Sequence, residues 1–417
     1  MYKNKYLKYK NKYINLKNYI AGNDINSLFN IDIDLLRRTD SFSNLHNYKK
    51  NIRQIGRPSS NGFINLLTYE DDSIQYSIIL KSNLGIKSDN LVNEYLVGQC
   101  INHFAIFYPC FSKTFQICKY NSEEDKTLFK ESREEIILPK NFNEYFTKLD
   151  TSNLEELVKN SCRFYNSICI FTQYIPVWRN LNDYIIDPAV NLYILMTILH
   201  LLYSCLSTFA DYFTHHDFNV FNVVLVKIPN DQYVTINIHL MEGKVISYKT
   251  NIIPVIIDYG GSFINFDINP SLPTSQKIFE ILCKFDKSTS EPICPDKCGD
   301  ERGFRNDFIS PFKKNISRDL LLLSYIERNI KLETDNPDYI NSQFAIIKEK
   351  IIPMDLKENL NPATDKIYNV KSAFHIFTEI IDNPNFKEGN EAIFQSSTLY
   401  KTIDIWHGRF DKPFTVS

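Results

Sequence analysis

Hydrophobic and polar positions change period several times along the chain, and each change marks an element. At the start, Tyr2, Tyr6, Tyr9, Tyr13, Leu16 and Ile20 recur at alternating steps of four and three, with Lys3, Lys5, Lys8, Lys10, Lys12 and Lys17 on the remaining positions. This stripe predicts a basic amphipathic helix. Such a helix packs on its own domain or serves as an arm that docks a partner or a membrane surface. Residues 22–50 are polar and read as a linker. From Ile52 the runs become short and β-like. Phe63–Tyr69 and Tyr76–Lys81 predict two strands joined through a turn at Asp71-Asp72. Leu91–Phe104 has helical period, and Phe107–Tyr120 and Ile168–Tyr174 predict further strands on either side of a polar, charge-rich insertion at residues 121–160.

Past Pro176 the character turns helical. Val190–Ala210 approaches the length of a membrane span. It carries Asn191, His200 and several hydroxyls, and Asp211 follows directly, so a buried core helix is expected and a membrane span is not. Val223–Lys227 predicts a strand. Val234, Ile236, Ile238 and Leu240 then alternate with polar residues, Glu242-Gly243 supplies a turn and Lys244–Tyr248 returns, which predicts a hairpin. Val255–Ile257 is one more strand. Residues 275–417 mix helices such as Arg318–Asn329 with polar loops, and no internal repeat is visible.

Composition narrows the classes without naming one. A chain of 417 residues allows two or three domains, and 43% hydrophobic with 23% charged residues is enough to bury a core. A net charge of −2 argues against a nucleic-acid partner. Nine cysteines lack a secreted-domain spacing, and the basic, tyrosine-rich start lacks the apolar core of a signal peptide; both point to a reducing, cytoplasmic setting. Cys294-Pro-Asp-Lys-Cys298, with Cys283 nearby, offers one close pair and no neighbouring His, leaving a zinc site or reduced loop cysteines as readings. There is no Gly-x-Ser-x-Gly, His-Glu-x-x-His or dinucleotide fingerprint, so hydrolase and oxidoreductase chemistry has no foothold.

The chemistry concentrates in two stretches. Thr214-His215-His216-Asp217-Phe218-Asn219-Val220-Phe221-Asn222 precedes the apolar strand Val223–Lys227. A tight loop there would let Asp217 face an incoming hydroxyl while Asn222 turns toward a metal. The bland reading is a chance His-x-Asp at a helix–strand junction. Ile256-Ile257-Asp258-Tyr259-Gly260 ends a second apolar strand in a carboxylate, either a hard oxygen ligand or an Asx turn. Upstream, Ser77-Ile78-Ile79-Leu80-Lys81 closes a strand in a lysine, and Glu94 follows on the predicted helix. Gly56 and Gly62 bracket a short polar turn.

Taken in chain order, these stretches resemble the protein-kinase-like superfamily, and most closely divergent serine/threonine-protein kinases of large DNA viruses. The resemblance covers roughly residues 52–330. It implies an α+β, bilobal protein-kinase-like fold: a small antiparallel β lobe plus one helix (residues 51–175), then a larger, mainly helical lobe (176–417) with a hairpin insertion at about 228–252 and a C-terminal tail. Residues 1–50 would be the basic extension and linker. The cofactors implied are ATP and Mg²⁺, in the host cytoplasm or the virion. Asp217 would be the catalytic base, and Asn222 and Asp258 the metal ligands. Lys81, aimed by Glu94, would hold the phosphates that Gly56 and Gly62 cover. Gln173 and Tyr174 in Phe171–Pro176 resemble the adenine-binding hinge, and Asp319 the brace of the catalytic loop, although a plain helix-start role suits Asp319 as well.

The substrate implied is a protein hydroxyl. Two departures bear on it: His216 stands where an arginine usually precedes the base, and no Ala-Pro-Glu follows Asp258. A small-molecule kinase and an ATP-binding scaffold without turnover are the alternatives.

Overall fold

Alternating apolar positions build the first part of the chain into one curled antiparallel sheet. The structure, a computed structural model, describes residues 49–55, 62–70, 75–84, 91–138, 142–164, 167–229, 231–265, 273–282, 284–285, 292–293, 314–330, 369–412 and 414–417. The N-terminal stripe, Gly56, the Asp71-Asp72 turn and Cys283, Cys294 and Cys298 lie outside the described residues. The chain is a mixed α+β protein that divides into two compact units.

The first unit takes in residues up to 99 and 113–176, with a later stretch that includes the helix Ser275–Leu282. Its strands are β1 (Lys49–Ile55), β2 (Gly62–Glu70), β3 (Gln75–Asn83), β4 (Thr114–Tyr120), β5 (Ile136–Ile137), β6 (Phe146–Lys148) and β7 (Ile168–Gln173), hydrogen-bonded in the order β5-β1-β2-β3-β7-β4-β6. Helix α1 (Leu91–Phe104) falls on the residues its period predicts. Phe63, Leu67, Ile78, Leu80, Cys118, Cys169 and Phe171 turn to one core, as the period of two along a strand requires. The charged insertion is partly helical. It contains α2 (Glu123–Glu131) and α3 (Leu154–Phe164). Ser122 caps α2, accepting from Asp125 N at 3.1 Å, and Phe129 enters the core fully buried. Asn65, buried on β2, donates to Phe129 O at 2.9 Å and to Ser132 Oγ at 3.1 Å, which ties α2 to the sheet. One aromatic anchor and a cap thus outweigh a polar composition.

The second unit holds residues 100–112, 177–268 and the chain from 306. Segments of the chain alternate between the two units. Its elements are β8 (Arg179–Asn180), α4 (Leu181–Ile185), α5 (Leu192–Thr208), β9 (Phe213–Thr214), β10 (Val223–Lys227), β11 (Gln232–His239), β12 (Val245–Thr250), β13 (Ile252–Ile256), β14 (Phe263–Ile264), α6 (Leu321–Asn329), α7 (Val370–Asp382), α8 (Pro384–Ile393), β15 (Thr398–Trp406) and β16 (Thr415–Val416). Helix α5 is buried from Ile194 to Ser207, which explains why it is apolar all round. Among the described residues no helix is long and apolar enough to cross a membrane.

Two expectations need correction here. The strand predicted over Phe107–Tyr120 is confined to Thr114–Tyr120. Residues before it serve an aromatic cluster, in which Phe111 packs on Phe209 and Phe213, while Tyr108 Oη lies 2.9 Å from Thr208 Oγ1. The hairpin at β11–β12 does form, with Gly243 in the left-handed region at φ +83°. It is no isolated insertion, however. The expected tail returns as β15, pairs parallel with β11, and completes a sheet ordered β12-β11-β15-β16. The outer edge at β12 is covered by Asn390, whose side chain accepts from Lys249 N at 2.9 Å and donates to Lys249 O at 3.0 Å.

Candidate active site

The loop from Thr214 to Asn222 connects β9 to β10, and its shape follows from a few directional bonds. Antiparallel pairing of Val223 with Ile256 places β10 beside β13. One bond more, Ile257 N to Asn222 O at 3.0 Å, carries this ladder to the last residue of the loop. Asn222 and Asp258 are thereby brought to the same end of one ladder. The amide of Asn222 donates to Asp217 Oδ2 at 3.0 Å and to Asp217 O at 2.8 Å. Asn219, which sequence reasoning passed over, donates to Asp217 Oδ1 at 2.9 Å, and its own oxygen accepts from Phe221 N at 2.9 Å. Both oxygens of the exposed Asp217 carboxylate are therefore held by neutral amides.

The loop is braced from beneath. Asp319, buried, accepts from His215 N at 2.8 Å and from His216 N at 2.9 Å, one bond to each carboxylate oxygen. Of its two readings, the geometry gives the brace. Arg318 Nε adds a bond to His216 O at 3.0 Å, and Tyr203 on α5 donates to Asp319 O at 3.1 Å. Burial pushes the Asp319 carboxyl up to about 6, and the nearby His215 and the two N–H bonds limit the rise. His216 and Asp258 sit at φ +64° and +67°, a region costly for side-chain-bearing residues and kept only where surrounding bonds over-determine it. At His216 those bonds are the paired N–H groups on Asp319.

Asp258 is set by its neighbours. Tyr259 is buried, its hydroxyl 2.9 Å from Ser112 O and 3.0 Å from Ile256 O while accepting from Ser112 Oγ at 3.1 Å. His215 Nε2 lies 3.0 Å from Ile257 O, and Ser262 Oγ donates to His215 O at 3.1 Å. The loop and the Asp-Tyr-Gly turn are thus sewn to each other on both sides of Asp258. Asn219, Arg318 and Ser262 carry no spacing signal; only Asn219, an amide two residues past the base, had a hint in its type.

In the first unit, Lys81 pairs with Ile64 on β2 and Ile170 on β7, which points its side chain away from the core face of Ile78 and Leu80. Its Nζ meets Glu94 Oε2 on α1 at 2.6 Å, with Glu94 only 4% exposed. The pair that the resemblance implies forms. Gly62 has a structural reason of its own: a Cβ there would lie 2.2 Å from Ser82 O across the ladder. Gln173 N donates to Lys113 O at 2.8 Å, and Gln173 Oε1 accepts from Lys113 N at 3.1 Å. The backbone N–H and the side-chain oxygen of Gln173 thus tie β7 to Lys113.

Among the described residues no group of three or more His, Cys, Asp or Glu side chains gathers to hold a metal. A divalent cation would instead take hard oxygens, the Asp258 carboxylate and Asn222 Oδ1, which the amide's bonds to Asp217 leave uncommitted to that residue. That donor set suits Mg²⁺, which uses few protein ligands when phosphates supply the rest. No protein-family model matches the chain, and no curated protein matches it either.

Proposed function

We propose that this chain is an ATP- and magnesium-dependent phosphotransferase of the protein-kinase type, a serine/threonine-protein kinase that moves the γ-phosphate of ATP to a protein hydroxyl. The observation that carries the reading is the Asp217 carboxylate. Asn219 and Asn222 hold it, on a loop braced by buried Asp319, at the ladder end that also bears Asp258. An antiparallel sheet with a Lys81–Glu94 pair between β3 and α1 supports the same reading.

Each residue then has a task. Asp217 accepts the acceptor's proton on a carboxylate oxygen as that hydroxyl's oxygen bonds to the γ-phosphorus and ADP departs. The two amides keep the carboxylate from rotating, so the base is positioned before the acceptor arrives. Asn222 and Asp258 would hold Mg²⁺, which when bound neutralises charge on the phosphate oxygens. Lys81 would hold the α- and β-phosphates, its ammonium fixed by Glu94; Gly62, Gly56 and Tyr174 keep the roles the resemblance implies. A small-molecule acceptor is the second reading, favoured by the missing Ala-Pro-Glu after Asp258.

Transfer of labelled γ-phosphate, to proteins and to small hydroxylated acceptors side by side, tests both. Asp217→Asn should lower kcat by roughly 10²–10⁴. Asp258→Asn, chosen because Asn tolerates positive φ, should remove Mg²⁺-dependent turnover and leave the melting temperature in place. Wild-type turnover in Asp217→Asn would defeat the assignment. Label on small acceptors alone would move the chain to the second reading.

A further inference from the structure

Arg318 stands just ahead of the Asp319 brace, and its charge has no direct partner. It opens the short 3₁₀ turn Arg318–Leu320 that leads into α6. Its Nε donates to His216 O at 3.0 Å, so the guanidinium is held against the peptide group that enters Asp217. Among the described residues no carboxylate closes on it as an ion pair. The carboxylates whose charge it feels are committed elsewhere. Both oxygens of Asp319 take loop N–H groups, and both oxygens of Asp217 take the amides of Asn219 and Asn222. The Nη groups of Arg318 are left with no acceptor among the described residues.

Such an arginine is incompletely satisfied. It is half-buried, and burial pushes its guanidinium below the usual range while the charges of Asp319 and Asp217 pull it back. A guanidinium stays protonated all the same. A charge drawn out of water is costly until its hydrogen bonds are made. Anchoring through Nε also orients the plane and leaves the paired Nη edge, the fork that matches two oxygens of a carboxylate or phosphate. Bracing the loop needs only the Nε bond. The fork is surplus to that task.

We propose that Arg318 determines acceptor specificity: its fork pairs with a carboxylate or phosphate on the acceptor, so the chain favours a serine or threonine flanked by an acidic group. This rests on the phosphotransferase reading, since a group beside Asp217 selects the acceptor only if Asp217 is the base. The hydroxyl of an acidic peptide segment meets Asp217 while its acid meets Arg318. The guanidinium also offsets the repulsion that the Asp217 carboxylate exerts on such a segment.

A set of serine peptides tests it on the full chain. Each carries Glu, phosphoserine, Gln or Lys at one position, moved in turn along the residues that flank the acceptor serine. At one position an acidic peptide should exceed its Gln counterpart roughly tenfold in kcat/KM, the lower end of what a charge-assisted bond supplies, and Lys should be poorest. Whether Glu or phosphoserine is preferred identifies the acid. The readout for Arg318→Gln is the acidic-to-Gln ratio, which should fall to about one. A role confined to bracing would lower both peptides alike and keep the ratio. Arg318→Lys, which keeps the charge and loses the fork, should retain part of it. The proposal is overturned if wild type shows no acid preference at any position, or if the preference survives in Arg318→Gln. Peptide affinity by fluorescence anisotropy separates this from the parent reading. Acid-selective binding that Arg318→Gln removes, without transfer to any peptide, would defeat the phosphotransferase reading and keep the anion site. Transfer without acid preference would do the reverse, and the absence of both would defeat both.

Discussion

Two ladders in the second unit run side by side in function and differ in how the chain makes them. The β10–β13 ladder is local: its loop is closed by contacts such as His215 to Ile257, 42 residues apart, and it carries the candidate base and metal ligands. The β11–β15 ladder is distant: His239 meets Asp404 across 165 residues, and the pairing is parallel. Local closure costs little chain entropy and leaves a motif in the sequence. Distant parallel pairing costs more and leaves none. The first ladder holds left-handed residues such as His216 and Asp258 in place; the second buries Ile403 and Ile405 fully.

Acid should separate the two ladders most strongly. His200, on α5 beside the distant sheet, is pushed down to about 3 by burial and then by repulsion from His407, which burial pushes down to about 4. Unfolded, both titrate near 6.5. The stability they contribute is therefore whole above that pH and is lost as pH falls toward 4 and 3. Asp319, under the local ladder, has the opposite sign. Its pKa is raised to about 6, so its contribution is whole below 3.8 and lost as pH rises through 6. At about 1.4 kcal/mol per pKa unit, the histidines outweigh it. The melting temperature should fall steadily from pH 6.5 to 4, and His200→Leu should flatten that slope; an unchanged slope would rule out the assignment.

A core truncation in the distant ladder comes next. Ile405→Ala should cost about 2–5 kcal/mol in denaturant melts. If the hairpin were an insertion that folds alone, the loss would stay well under 1 kcal/mol. Asp319→Asn, in the local region, should cost about 2 kcal/mol, because an amide hydrogen would then face one of the two loop N–H groups. Its sharper readout is kcat for phosphate transfer, which should drop while KM for ATP holds; a stability loss with kcat intact would make the brace purely structural. The smallest effect is at the hairpin turn. Gly243→Ala has open space around it but needs φ +83°, so about 1 kcal/mol is expected from backbone strain alone.

Legibility follows the same division. Helix α1, strands β2, β3 and β10 and the hairpin stand in the sequence because each has its own period and its own turn residues. The Lys81–Glu94 pair was legible only through the resemblance, and the structure closes it at 2.6 Å. The helices of the insertion at 121–160 were not legible because one buried aromatic, Phe129, and one cap, Ser122, decide α2 against a polar background. The strand expected at Phe107 fails since its rings belong to a cluster that period alone does not reveal.

By itself, the sequence determined the alternation that makes the curled sheet, the all-round apolar character that buries α5, and the order of Lys81, Glu94, Asp217, Asn222 and Asp258 along the chain. These are properties of neighbouring residues, and neighbours set period, turn and cap. Tertiary structure alone decided that Asp319 takes two loop N–H groups from 103 and 104 residues away, that Asn219 shares the Asp217 carboxylate with Asn222, and that β15 joins the hairpin's sheet. Each depends on which distant polar group or strand edge is left unsatisfied once the core has formed, and burial makes satisfying it compulsory.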